Sequence, residues 1–200
     1  MTEPDLNQVR PETSATAIRA LWRDLRVAHC PEDAPPVLRL LDALRETHVN
    51  GGAAFATFSI ASNPILHWFI SRNRLDEIEF PEHLLKLSSV VTALPDLCKD
   101  PVPDSFGFKW GSAFTLAGEI AQTLSDGGAY KRHEDGPGDA YALAEGFRTW
   151  LFGDRFDELL VLKSHKPWSA WFYDIAWDFT WLTVDKRHNK VSVLAVTDTD

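Results

Sequence analysis

Cysteine is scarce in this chain: Cys30 and Cys98 stand alone, each without a neighbouring cysteine, which excludes a zinc ribbon and a C-x-x-C redox pair. Two small thiols in or near a core are what a reducing compartment favours. Long apolar runs are missing as well. No stretch approaches the roughly 18 uninterrupted apolar residues of a membrane helix, so no membrane contact is expected. The opening Met1, Thr2, Glu3, Pro4, Asp5 carries neither a basic leader nor an apolar segment, and a cytoplasmic location is the resulting expectation.

Positive charge is in the minority. Lys plus Arg number 20 against 29 Asp plus Glu, a net charge of −9. Each half of the chain holds ten of the bases, so the acidity belongs to no single tail. An evenly acidic surface repels phosphate backbones, which argues against nucleic acid and for a basic protein or a cation as partner. Familiar catalytic motifs are absent too: there is no H-E-x-x-H, no G-x-G-x-x-G, no G-x-S-x-G, and no phosphate loop around Gly127-Gly128 or Gly136-Pro137-Gly138. The seven histidines are scattered and never paired at ligand spacing.

What remains is an ordinary globular composition, with 44% hydrophobic and 24% charged residues over 200 positions. That length can bury a sizeable core without metals or disulfides. One domain from residue 13 to 200, preceded by a mobile lead-in over 1–12, is the expected organisation. Ile18, Leu21, Trp22 and Leu25 recur at helical spacing, and so do Val37, Leu40, Leu41 and Leu44 after Pro35-Pro36. A third helix is predicted from Pro81 to before Pro95, with proline in its first turn. A fourth spans about 113–125 with Phe114 on its apolar side. A fifth is capped by Asp139 and ended by Gly153. Periodicity does not arbitrate over 53–80.

Beyond Phe156 the apolar period falls to two. Trp171, Tyr173, Ile175, Trp177, Phe179 and Trp181 alternate with smaller or polar residues, as do Val191, Val193 and Ala195. The predicted class is therefore α+β: a helix-rich N-terminal two-thirds packed on one face of a small antiparallel sheet that ends in an aromatic C-terminal β-hairpin. Trp177 and Trp181 are expected in its core. Trp168 and Trp171, flanking a turn after Pro167, are the candidates for exposure.

Four acids, Asp174, Asp178, Asp198 and Asp200, lie on or after the hairpin. With a five-residue loop over Asp185–Asn189, Val184 faces Lys190 and all four share one face, an oxygen-only set suited to magnesium or calcium. With a two-residue turn at Arg187-His188 the last strand flips and its acids leave that face. Carboxylates on a solvated strand more often serve solubility, so no cofactor is the preferred reading. Ser105 to Trp110 echo an aromatic RNA-stacking motif but lack its leading basic residue and glycine. Lys163, His165 and Lys166 form the densest basic spot beside the tryptophans.

The reading ranked first is a non-catalytic protein-binding domain acting through an acidic aromatic surface, with a toxin-neutralising immunity protein as one example. Its contact residues are predicted to be Trp168, Trp171 and Asp178 together with His133, Glu134 and Asp135 of a polar loop. The alternative is a small metal-dependent hydrolase using Asp174, Asp178, Asp198 and Asp200.

Overall fold

The computed structural model describes residues 14–101 and 106–200; the lead-in over 1–12 lies outside them. The architecture is α+β. Six antiparallel strands form one sheet: β1 (Val27–Cys30), β2 (Gly52–Ile60), β3 (Lys109–Trp110), β4 (Leu159–Ser164), β5 (Phe179–Asp185) and β6 (Lys190–Thr197), in the spatial order β1-β2-β6-β5-β4-β3. The sheet is larger than the sequence suggested, and two of its strands come from the N-terminal half.

Helices cover both of its faces, not one. Against the first pack α1 (Ala15–Asp24), α3 (Pro64–Ser71), α4 (Phe80–Leu84) and α5 (Ser88–Ala93), whose Leu21, Phe69, Phe80 and Val90 meet Phe58, Leu182, Val191 and Val193. Against the second pack α2 (Pro35–Thr47), α6 (Leu116–Asp126) and α7 (Gly136–Phe152), whose Leu40, Ile120 and Ala144 meet Val161, Trp181, Leu194 and Val196. Neighbouring residues of β4, β5 and β6 thus enter different cores. Strands buried on both sides read as continuous apolar runs, which is why β2 and β6 show little alternation.

Local chemistry explains most boundaries. Ser14 caps α1, its hydroxyl accepting from the N–H of Ala17, and Asn63 caps α3 by accepting from Ile65 and Leu66. The helix expected from Pro81 to Pro95 is two helices, because Leu87 is extended (φ −66°, ψ 137°) and lets α5 turn onto β1. The last long helix starts at Gly136, with Pro137 in its first turn, and not at Asp139; it does end at Gly153, at φ 57°.

The hairpin register differs from the one that gathered the acids. Asp185 pairs with Lys190 and Val184 with Val191, the same parity as the two-residue-turn alternative. Asp185 sets it by accepting the N–H groups of Arg187 and His188, both at 3.0 Å, within the loop. Residues 171–178 are turns and not strand. Trp181 is buried as expected, at 3% exposure, whereas Trp177, off the end of β5, is only half-buried. No helix among the described residues is long and apolar enough to cross a membrane.

Candidate functional site

The four C-terminal acids do not assemble. Asp178 is buried and accepts from the Thr197 hydroxyl at 2.6 Å and from the backbone N–H of Ile175 at 3.2 Å. Asp198, also buried, accepts from the N–H of Asn50 and of Ala129, each at 2.8 Å. Both carboxylates tie loops to the end of β6. Gly128 permits this: a Cβ there would lie 1.9 Å from an Asp198 oxygen. Asp174 and Asp200 are exposed. Two of the four acids are thus buried in backbone-binding roles, and the set offers no common metal face.

The predicted contact residues are similarly dispersed. Trp168 is 0% exposed, stacked on Phe106 at 5.5 Å, with its indole N–H donating to the Thr180 hydroxyl at 3.0 Å. Neither Trp168 nor Asp178 has surface to offer a partner, which corrects the expectation for both. Phe106 is buried as well, so the segment echoing an RNA motif presents no stacking platform there; its Ser105 lies outside the described residues. Trp171 is half-buried, edge-on to Phe172 at 5.1 Å.

His133, Asp135 and Asp139 are the one group of three metal-capable side chains among the described residues whose ligand atoms fall within 4.8 Å of one another. His133 Nε2 already lies 2.8 Å from Asp139 Oδ2. The acids sit at the N-terminus of α7, whose dipole favours carboxylates and opposes a cation. Glu134 is exposed beside them.

Two other places bring chemistry together on the second face. The first is an exposed aromatic patch where β3 leads into α6. Phe114 is 77% exposed and lies face to face with Phe156 at 4.7 Å and 6°. Arg148 also packs against Phe156, its guanidinium carbon 5.0 Å from the ring centroid, while Trp110 and Asp157 line the same shallow concavity. Trp110 is 39% exposed. The sequence placed Phe114 on the buried side of a helix, but the helix begins two residues later and Phe114 precedes it. A terminal shift of that size reverses which way a side chain faces.

The second is a cleft of about 370 Å³ between α6 and the β4–β5 ends. Its aromatic wall is Trp177, Phe179 and Trp181, with Phe179 and Trp181 parallel at 5.7 Å. Its polar wall is the face of α6 that carries Glu119, Gln122 and Asp126, residues at helical spacing. Glu119 accepts from Lys163 at 2.7 Å, the Thr115 hydroxyl at 2.8 Å and the Trp181 indole at 3.2 Å. Burial alone would raise its carboxyl, but those three donors together hold it below the usual glutamate range. His165 stands edge-on to Phe179 at 5.0 Å; burial, then the charge of Lys163, pushes it below the usual histidine range. Of the basic spot seen in the sequence, Lys163 is thus ion-paired with Glu119, and Lys166 is exposed.

No protein-family model matches this chain, and no curated protein sequence matches it.

Proposed function

We propose that the chain is a non-catalytic protein-binding domain whose contact surface centres on Phe114, Phe156 and Trp110. One observation carries the reading: a phenylalanine 77% exposed yet set in a face-to-face stack. Exposed aromatic clusters are rare on monomers and mark interaction sites, and a pre-stacked ring loses little freedom on binding. Asp154 and Asp157 are exposed beside Phe156, and Lys186 lines the same concavity, giving the apolar centre a charged rim of the kind that interfaces use.

The net charge of −9 favours a basic partner through long-range steering. Neutralisation of a basic toxin by an acidic immunity protein is one function of this kind. The burial of Asp178 and Asp198 in loop-tying hydrogen bonds supports binding over the metal-dependent hydrolase, whose ligand set it divides.

Affinity capture from the cells of origin, followed by association kinetics of the purified pair, tests the reading. The on-rate should fall steeply as ionic strength rises, and Phe114→Ala should speed dissociation while leaving the melting temperature in place. A partner that binds wild type and Phe114→Ala alike would defeat it, as would saturable hydrolysis that Asp178→Asn abolishes.

A further inference from the structure

The cleft beneath Trp177 belongs to neither the loop-tying acids nor the Phe114 patch. Its two walls differ in chemistry. Half-buried Trp177 and Phe179 line one side with buried Trp181, Phe179 being stacked on Trp181. Across from them α6 presents Gln122 and Asp126, both exposed. A volume of about 370 Å³ holds one long side chain with some water, and is not the extended groove that a helix or strand requires.

Charge selects the occupant. Lys163 is tied to Glu119 at 2.7 Å and offers no free positive charge. His165 is held toward its neutral form by burial and by Lys163. Asp126 has no hydrogen-bond or ion-pair partner among the described residues. The cleft thus combines aromatic faces with one unneutralised carboxylate, on a chain carrying nine excess negative charges. Ring faces attract a planar cation through their quadrupole. A guanidinium alone among side chains supplies both a flat face for stacking and a fork of donors that matches a carboxylate.

We infer that this cleft receives an arginine side chain of the protein partner, its guanidinium packing against Trp177 and its N–H groups directed to Asp126. The proposal rests on the protein-binding reading for the source of the arginine, but the cleft itself does not depend on Phe114.

The test uses the full chain and N-acetyl-arginine amide as probe, followed through the indole N–H resonances of Trp177 and Trp181, assigned by substitution. Both should shift saturably. The citrulline analogue, isosteric but uncharged, should bind about tenfold more weakly, and Asp126→Asn should cost the arginine probe a similar factor while leaving the fold unchanged. Phe114→Ala should not alter probe binding. No saturable shift, equal binding of arginine and citrulline analogues, or a response to methyl glucoside alone would overturn the inference, the last by making this a sugar subsite. Probe binding in a chain whose partner ignores Phe114 sinks the Phe114 reading only; a partner lost in Phe114→Ala but unaffected by Asp126→Asn and Trp177→Ala sinks the cleft only.

Discussion

The two faces of the sheet are built differently. The first is closed by four short helices over large, fully buried rings such as Phe58, Phe69, Phe80 and Trp168. The second is closed by three longer helices, and charged groups reach into its margin: Trp181 bonds Glu119, and Arg155 bonds Asp185. The Phe114 patch and the Trp177 cleft both rim the second face. A face closed over buried rings supplies stability, and a face with paired charged groups at its margin leaves surface that is ordered yet accessible.

That contrast breaks most sharply at Trp168. Trp168→Ala should cost about 3–5 kcal/mol in denaturant unfolding, because it empties a fully buried site and orphans the Thr180 hydroxyl. Trp177→Ala, a change of the same size in an open cleft, should cost about 1 kcal/mol, with Trp181→Ala between the two. Equal losses at Trp168 and Trp177 would erase the distinction between the faces.

Next in size is Asp198→Ala, which strands the N–H groups of Asn50 and Ala129 and should destabilise by about 2–3 kcal/mol. Asp174→Asn, which keeps a residue suited to the left-handed backbone there (φ 59°), should leave the melting curve where it is. If calcium or magnesium raised the melting temperature of wild type but not of these variants, the acids would be ligands and not loop ties.

A smaller effect is the pH response of the second face. Burial would raise the Asp185 carboxyl, but hydrogen bonds from Arg155 and His188 outweigh it and hold the group at about 2. The folded value lies below the unfolded one. The stabilisation is therefore complete above about pH 4, where the unfolded chain is also ionised, and is lost as pH falls toward about 2. After allowance for solvent screening it amounts to about 1–2 kcal/mol. Asp185→Asn should flatten the acid limb of a stability–pH profile, and an unchanged limb would remove Asp185 from the account.

These contrasts were only partly legible in the sequence. Helices α1, α2 and α6 follow from apolar spacing and local caps, and Gly153 ends α7 for a reason visible in the chain alone. Strand β1 was missed because two of its four residues are exposed and Pro31 follows at once. The alternation from Trp171 to Trp177 imitated a strand, yet Asp178 captures the N–H groups of Tyr173 and Ile175 and folds the segment into turns. Its hydroxyl partner is Thr197, nineteen residues away, and no local rule reports such a pair. The candidate site was harder still. The exposure of Phe114 depends on where α6 begins, and the cleft depends on a helix face meeting a strand end from a distant part of the chain.

The most direct test is the dissociation rate of a captured partner from wild type and from Phe114→Ala, measured with melting temperatures alongside. The account predicts equal melting temperatures and dissociation at least about tenfold faster for the variant, the signature of an interface hot spot. Unchanged dissociation at equal stability would contradict it.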